Sequence, residues 1–323
     1  ALLRKIHRQM EVEDHEENFS ALDRQFHTEL LRMMRNRILD GLLPFIIDFF
    51  NELRKQKKLR LWKMTPYREM RAGRKAISYK FNLSCPRAVE IAAISGFDAV
   101  WICQEHVPTD QHTMESQILA AKAHDADCIV RVAKGSYSDY IRPLEADASG
   151  IMVPHLMSLE EAKEIVRMTR FQPLGLRPVD GGNADGLYCR FDFREYIRFA
   201  NENRMVIVQI EDPEPLSELD EICKVPGIDM IFFGPGDFSH AIGHPAEFDH
   251  PEIRRVRKLV VDTAHKYGKF AGTVTGMSTM KEYYDMGYDF LNCSADVVAI
   301  NADCNAVLKA YAGAVEDIQP ENG

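Results

Sequence analysis

Residues 205–239 read MVIVQIEDPEPLSELDEICKVPGIDMIFFGPGDFS. The stretch holds two apolar runs of strand length, 206–210 and 230–233, and each is soon followed by a carboxylate, Glu211 or Asp237. Short apolar runs bounded by turn residues are typical of strands that are buried on both faces of a parallel sheet. An acid at the end of such a strand adds nothing to a core. We therefore interpret both acids as metal-binding or catalytic residues.

The rest of the chain repeats this strand-and-helix pattern. Strands are predicted at 76–83, 99–103, 128–132, 150–154, 206–210, 230–233, 270–274 and 290–293. Helices are predicted at 85–95, 113–124, 138–146, 159–169, 192–203, 216–225, 251–267 and 277–286, after a short one at 67–73. Eight strands in about 250 residues predict an α/β fold, a (β/α)8 TIM barrel. A doubly wound open sheet is the alternative, but no GxGxxG follows the first strand.

Composition narrows the class of protein. The chain has 323 residues and a formal charge of −9, which disfavours nucleic acid or an anionic membrane as a partner. No apolar run approaches the roughly 18 residues of a membrane span. The start of the chain has no apolar signal core. The seven cysteines form no CxxC pair, so we expect reduced thiols and a cytoplasmic protein.

Residues 1–62 differ from the remainder, since they contain one Gly, one Pro and only helical patterns. We predict a helical extension at 1–62 and the barrel at 63–323. Asp23 and His27 lie four residues apart and could share a metal, although a solvated polar face is the simpler interpretation. The pattern DRQFHTEL resembles the metal-binding helix of the FCD ligand-sensing domain of GntR-type regulators. This resemblance implies a partial domain or a helical appendage of related origin.

In a barrel, the carboxyl ends of the strands meet on one face. The residues expected there are Gln104, Glu105, His106, Arg131, His155, Gln209, Glu211, Gly236 and Asp237. Two carboxylates suit a hard divalent cation, Mg²⁺ or Mn²⁺, with Co²⁺ and Zn²⁺ as further options. Arg131 can stabilise an oxyanion and His106 can move a proton near neutral pH. Taken singly, each residue also has a structural interpretation, as a rim ion pair, a helix cap or a core histidine.

Five segments together resemble a known family. They are SGFDAVWICQEHVPTD (95–110), IVRV (129–132), EADASGIMVPHLMSLEEAKEIV (145–166), VQIED (208–212) and GPGDFS (234–239). In order and spacing they resemble the HpcH/HpaI family of class II, metal-dependent 2-keto-acid aldolases. The resemblance covers about residues 67–315. It implies a (β/α)8 barrel that makes or breaks a C–C bond through a pyruvate enolate, commonly as a homo-oligomer.

The resemblance also implies roles for single residues. Glu211 and Asp237 match the metal carboxylates, and Arg131 matches the arginine at the keto or enolate oxygen. The backbone at Gly236 and Asp237 matches the anchor of the pyruvate carboxylate. Gln209 lines the same site. These residues form the expected metal and substrate site.

The residues expected to transfer protons match the family less closely than the metal and substrate residues do. His106 matches the histidine that assists proton transfer. Glu145 stands where family members carry an acid that pairs with that histidine, in some cases from a neighbouring subunit. The family often has Asp where this chain has Cys103, and a thiol cannot replace a carboxylate in orienting an imidazole. The stretch 172–188 also departs from the family, and we predict that it forms a long loop over the active face.

We therefore expect a metal-dependent carbon–carbon lyase that acts on a 4-hydroxy-2-oxo acid, with a small 2-keto acid and an aldehyde as partners. We also expect a homo-oligomer, a hexamer or a trimer. A related acyl-CoA lyase is one alternative, although no basic cluster for CoA is evident. A non-catalytic sensor built on an aldolase barrel is the other alternative, because Asp is missing at position 103.

Overall fold

A computed structural model describes residues 70–316, together with Gln25 and Tyr67. The chain divides into two compact units, Ala1–Lys63 and Met64–Gly323. Apart from Gln25, the predicted helical extension at 1–62 lies outside the described residues, and so does the pair Asp23 and His27. Within the described part, no helix combines the length and the apolar character that crossing a membrane requires.

The second unit contains a closed barrel of eight parallel strands in sequential order. The strands are β1 (Ala76–Phe81), β2 (Ala99–Cys103), β3 (Asp127–Arg131), β4 (Gly150–Val153), β5 (Met205–Ile210), β6 (Met230–Phe233), β7 (Phe270–Thr275) and β8 (Phe290–Ala295). Every residue of β2 to β6 is buried, as expected for strands that are covered on both faces. The predicted (β/α)8 barrel is confirmed, and the open sheet is excluded because β1 pairs with β8.

The helices are α1 (Pro86–Ile94), α2 (Gln111–Ala123), α3 (Tyr137–Glu145), α4 (Leu159–Thr169), α5 (Phe193–Asn203), α6 (Leu219–Lys224), α7 (Pro235–Ala241), α8 (Pro251–Lys266), α9 (Met280–Met286) and α10 (Asp296–Glu316). Two of these helices, α7 and α10, were not predicted. The α7 helix is short and begins in the Gly/Pro-rich run 234–236, which masks a helical pattern. The α10 helix is exposed from Val297 to Ala314, so burial imposes no clear apolar stripe on its sequence.

The side chains of each strand alternate between two cores. Inward-facing residues form a central cluster that includes Trp101, Ile129, Ile207 and Phe232. Trp101 and Phe232 meet edge to face, with their ring centroids 5.5 Å apart. The alternate positions pack against the surrounding helices in a larger cluster. This period of two also decides which polar residues face inward at the carboxyl ends of the strands.

The segment 172–188 does not lie over the active face, so that prediction is wrong. It follows Arg170, whose guanidinium bonds to the carbonyls of Gly227 and Arg204 next to the starts of β6 and β5. Arg177 within the segment pairs with buried Asp185 at 2.8 Å. The segment leaves α4 at the amino end of the barrel and packs there, because α4 runs antiparallel to the strands.

Candidate active site

Cys103, Arg131 and Gln209 form the inward-facing layer at the carboxyl ends of β2, β3 and β5. Each lies two residues beyond an inward-facing apolar residue of its own strand, and strand side chains repeat their direction every two residues. All three are buried. The barrel therefore brings an arginine, an amide and a thiol to one place. Glu211 continues the alternation beyond Gln209 and joins them.

Arg131 is fixed by three neighbours. Its Nε lies 2.9 Å from Glu105 Oε2, and its Nη2 donates to Cys103 Sγ at 3.2 Å. Its guanidinium carbon lies 5.0 Å from the ring centroid of Trp101, within the range of a cation–π contact. The Cys103 thiol thus has a structural role, because its sulfur accepts a hydrogen bond from the Arg131 guanidinium. Arg131 is held in one orientation at the top of the central core.

His106 lies beside this group and nearer to solvent. Its side chain is 56% exposed, and its Nε2 lies 3.4 Å from Glu105 Oε2. Its backbone N–H donates to Cys103 Sγ at 3.4 Å. The carboxylate beside the imidazole within the described chain is therefore Glu105. From the sequence, Glu145 was expected as the acid that pairs with this histidine, and Glu105 was named only as one of the residues of this face.

Glu211 is 1% exposed and is surrounded by polar contacts. Its Oε2 accepts from Gln209 Nε2, and its Oε1 accepts from the backbone N–H of His155 at 2.9 Å. Burial raises the pKa of the Glu211 carboxyl to about 7, even though His155 and Arg131 act to lower it. A buried carboxyl that resists ionisation to this extent gains from a nearby cation.

Gly234 makes this packing possible. A Cβ added there would lie 2.7 Å from both Gln209 Nε2 and Glu211 Oε2, and 2.9 Å from Glu211 Cβ. These distances are too short for any real Cβ atom. The absence of a side chain after β6 is what allows the amide and the carboxylate to stand against that strand end.

His155 lies opposite Glu211, after the carboxyl end of β4. Its Nδ1 lies 2.8 Å from Asp212 Oδ2, and its Nε2 faces Glu105 Oε1 at 3.6 Å and Glu211 Oε1 at 3.7 Å. Burial lowers the pKa of His155, but the hydrogen bond to Asp212 and the surrounding carboxylates outweigh it, so the net shift is upward. From the sequence, His155 was expected on this face, without a role of its own.

Gly236 and Asp237 occupy the first turn of α7, and both are exposed. Backbone N–H groups of a first turn lack partners within their helix, so they can meet a ligand carboxylate. A Cβ at Gly236 would meet no atom within 4 Å. The charge of Asp237 acts on Glu211, but its oxygens are not part of the close group around that acid.

Glu145 is the one predicted catalytic residue that the barrel does not bring to this site within the chain. It is the last residue of α3, which runs back toward the start of β4. Its charged neighbours are Arg177, Asp185, Asp180 and Arg142. Burial raises the pKa of Glu145, although Arg177 opposes the shift. Glu145 and His106 lie at opposite ends of the barrel, so a pairing between them requires a second subunit.

Lys80 is a further residue of the site that the sequence analysis missed. It follows Ala76 and Ser78 at a spacing of two on β1, and Ser78 bonds inward to Asn292 of β8 at 3.0 Å. The Lys80 ammonium lies 5.1 Å from the ring centroid of Trp101. Burial and the Arg131 charge lower the pKa of Lys80. The alternation of β1 was the signal that could have identified it.

Three of these residues could hold a metal ion. One ligand atom from each of Glu105, His155 and Glu211 lies within 4.8 Å of the other two. Gln209 Oε1 is buried beside Glu211 without a hydrogen-bond partner among the described residues. Oxygen and imidazole donors suit divalent cations of the Mn²⁺, Co²⁺ and Zn²⁺ type, and the oxygens also suit Mg²⁺. The donor set therefore fits a divalent cation.

Several known proteins are similar to this chain over most of its length. A hydroxypyruvate/pyruvate aldolase of Pseudomonas aeruginosa is 31% identical over 229 residues, which are 70% of this chain and 85% of that protein. A 4-hydroxy-2-oxo-heptane-1,7-dioate aldolase of Escherichia coli is 28% identical over 253 residues, covering 78% of this chain and 96% of its own. The crystal structure of an HpcH/HpaI aldolase from Desulfitobacterium hafniense DCB-2 superposes with a TM-score of 0.72 at 26% identity, covering 76% of this chain and 95% of that one.

The family itself is shown by a match along most of the barrel. The model of one family fits residues 81–302, a span that runs from the end of β1 into α10 and includes every strand-end residue described above except Lys80. The chain belongs to the HpcH/HpaI aldolase/citrate lyase family.

Proposed function

We propose that this protein is a divalent-metal-dependent aldolase that cleaves or forms the C3–C4 bond of a 4-hydroxy-2-oxo acid. In the cleavage direction, the 4-hydroxyl loses its proton and the C3–C4 electron pair moves into a C2–C3 enolate. The aldehyde leaves, and the enolate takes up a proton at C3 to give pyruvate. Names of similar proteins, a hydroxypyruvate/pyruvate aldolase among them, support this substrate class.

Glu211 and Asp237 would hold the cation, and when bound it would supply positive charge at the keto oxygen of the substrate. Mg²⁺ and Mn²⁺ are the proposed ions, with Co²⁺ and Zn²⁺ as further options. The proposal draws support from the burial of Glu211, because a cation relieves the cost of ionising that carboxyl.

Arg131 stabilises the oxygen on which negative charge develops. It is already oriented by Glu105 and Cys103, so little reorganisation is needed as the charge grows. His106 accepts the 4-hydroxyl proton, for which its half-exposed imidazole beside Glu105 is suited. Gln209 lines the site, and the first-turn N–H groups of Gly236 and Asp237 bind the substrate carboxylate.

The observation that carries this proposal is the convergence on Glu105. Its two oxygens contact Arg131, His106 and His155, and the last of these also contacts Glu211. Four elements thus bring an oxyanion-stabilising group, a base and a metal carboxylate within a few ångströms. A structural ion-pair network would have no need of the half-exposed histidine at its edge.

Replacing Glu211 with Gln tests the proposal. The metal-stripped protein is reloaded with Mn²⁺ or Mg²⁺ and incubated with pyruvate in D₂O, with and without a panel of aldehydes. We expect metal-dependent exchange of the pyruvate methyl protons and formation of aldol product, both measured by NMR. In E211Q both rates should fall about 100-fold or more. A neutral amide is a poorer ligand than a carboxylate and cannot balance the positive charge of the metal ion.

A matched substitution at an exposed acid, Glu160→Gln on α4, should leave both rates unchanged. If the wild-type protein catalyses neither reaction with any of the metals, the aldolase proposal is wrong. If E211Q loses turnover but still binds pyruvate as tightly without metal, the sensor alternative gains the support instead.

We also propose the assembly and the cellular location. A homo-oligomer, a trimer or a hexamer, would allow Glu145 of one subunit to approach His106 of another. Large apolar side chains exposed on α10 support an oligomer. The seven cysteines are free thiols, which is compatible with a reducing cytoplasm.

A further inference from the structure

We propose that His155 is a nitrogen ligand of the catalytic metal, and that it directs the site toward Mn²⁺, Co²⁺ or Zn²⁺ rather than Mg²⁺. The proposal rests on the metal-dependent aldolase function above and deepens it. The metal pair expected from the sequence consisted of two carboxylates, Glu211 and Asp237. The structure adds the imidazole of His155, whose Nε2 lies 3.7 Å from Glu211 Oε1.

The orientation of the imidazole is the first argument. Asp212 Oδ2 lies 2.8 Å from Nδ1, so the carboxylate holds a proton on that nitrogen. In the neutral ring, Nε2 is then left with its lone pair. Histidines that bind metals in proteins generally donate their second ring N–H to a carboxylate or carbonyl in this way. Asp212 is thus placed to set the tautomer that binds metal.

The direction of Nε2 is the second argument. It points at Glu105 Oε1 and Glu211 Oε1, 3.6 Å and 3.7 Å away. Both distances exceed a normal hydrogen bond. They are close to the separation of two ligands of one ion, which is roughly 3–3.5 Å for metal–ligand bonds of about 2.1 Å. One ligand atom from each of the three residues lies within 4.8 Å of the other two, so a single cation could contact all three.

The backbone of His155 is the third argument. Its φ is +48°, a left-handed conformation that is uncommon for residues other than glycine, although Asn, Asp and His adopt it more often than the rest. The N–H of His155 donates to Glu211 Oε1, and Lys134 Nζ donates to its carbonyl oxygen. Strained backbone of this kind persists where neighbours hold it, and it is concentrated at functional sites. Here the two backbone contacts hold His155 in the conformation in which its ring faces the carboxylates.

A nitrogen ligand changes which ion is preferred. Mg²⁺ dehydrates reluctantly and takes few protein ligands, mostly oxygen, whereas imidazole binds Mn²⁺, Co²⁺ and Zn²⁺ with increasing strength. The sequence by itself was compatible with any of the four ions. A site in which Glu105 and His155 join Glu211 and Asp237 should bind Mn²⁺, Co²⁺ and Zn²⁺ more tightly than Mg²⁺.

The test uses the full-length protein stripped of metal and three variants. H155N removes the ligand while keeping a residue that tolerates the left-handed backbone. D212N removes the carboxylate that orients the ring. H106N is the matched control, because His106 lies beside the same Glu105 but outside the metal group. Metal affinity is measured by calorimetry, and ¹⁴N coupling to bound Mn²⁺ is measured by pulsed electron paramagnetic resonance.

We expect ¹⁴N coupling in the wild type and in H106N, and none in H155N. The Zn²⁺ and Co²⁺ affinities of H155N should fall about 100-fold, and those of D212N about 10-fold, while Mg²⁺ affinity changes less than about 3-fold. Absence of ¹⁴N coupling in the wild type, or Zn²⁺ affinity unchanged in H155N, would overturn the proposal.

The two proposals fail in different ways. A wild-type protein with histidine-coupled Mn²⁺ but no pyruvate proton exchange keeps the ligand assignment and loses the aldolase function. A protein that is active with Mn²⁺ but shows no histidine coupling keeps the function and loses the ligand assignment.

Discussion

At the residue scale, Lys80 differs from the other charged side chains of the site in the contacts that it makes. The Lys80 ammonium makes no hydrogen bond or ion pair with any residue of the described part of the chain, although it lies inside the barrel near Trp101. Burial and Arg131 both disfavour its charge. A buried ammonium without a hydrogen-bond partner is stabilised when an anion binds next to it. The substrate of a 2-keto-acid aldolase carries a carboxylate, which is such an anion.

Replacing Lys80 with Met should therefore weaken binding of the anionic substrate. We expect KM for the 2-keto acid to rise about 10-fold or more, with a smaller change in kcat, because an ion pair in a partly desolvated site is worth a few kcal/mol. Steady-state kinetics measures this split. Lys80→Arg should recover part of the loss, and Lys163→Met on the exposed face of α4 should have no effect. An unchanged KM in K80M would contradict this role.

At the scale of elements, the site depends on how closely β5 and β6 end together. Gln209 pairs with Phe232 and Ile210 with Phe233 in the register of these strands. Gly234 follows directly and leaves space for the side chains of Gln209 and Glu211. The end of one strand thus sets the position of the acid at the end of its neighbour.

Gly234→Ala should disturb that acid. The new Cβ would overlap both Glu211 Oε2 and Glu211 Cβ, so a rotation of the carboxylate alone cannot remove the clash. We expect a loss of about 1–3 kcal/mol in the free energy of unfolding and a fall of about 10-fold or more in metal affinity. Chemical denaturation and metal titration measure the two effects.

Gly181→Ala is the control for this experiment, since a Cβ at that position meets nothing within 4 Å. It should change neither quantity appreciably. Normal metal affinity in G234A would mean that the contact with Gly234 does not position Glu211.

At the scale of the whole molecule, α10 is the helix that exposes its side chains over the longest stretch of the described chain, from Val297 to Ala314. It is a 21-residue helix whose exposed large side chains are Val297, Val298, Ile300, Val307, Leu308 and Tyr311. Contiguous exposed apolar surface on a soluble protein usually marks an interface. A second copy of the chain is the partner that the proposed oligomer requires.

Leu308→Lys should therefore weaken the oligomer. Burying one leucine contributes about 1.5–3 kcal/mol, so the dissociation constant should rise about 10-fold or more. Light scattering after size-exclusion chromatography at several concentrations measures the mass. Leu119→Lys, at an exposed leucine of α2, is the matched control. A wild-type protein that is monomeric at all concentrations would refute the oligomer proposal.

The amino-acid sequence alone determined the barrel and the strand-end positions of its polar residues. Both follow from local rules, because apolar runs between turn signals define strands and parallel strands end on a common face. Those rules placed Arg131, Gln209 and Glu211 correctly on the same face. They did not identify Lys80, since a lysine near the end of a strand usually points to solvent.

Tertiary structure decided the pairings within the site. Glu105 lies between Arg131, His106 and His155, and which of its oxygens meets which partner depends on three different strands. Tertiary structure also placed Glu145 and the segment 172–188 at the amino end of the barrel, because a helix that follows a strand runs back in the opposite direction. Local sequence patterns predict on which face of a strand or helix a given side chain lies. Distances between side chains from different strands exist only once the barrel is closed.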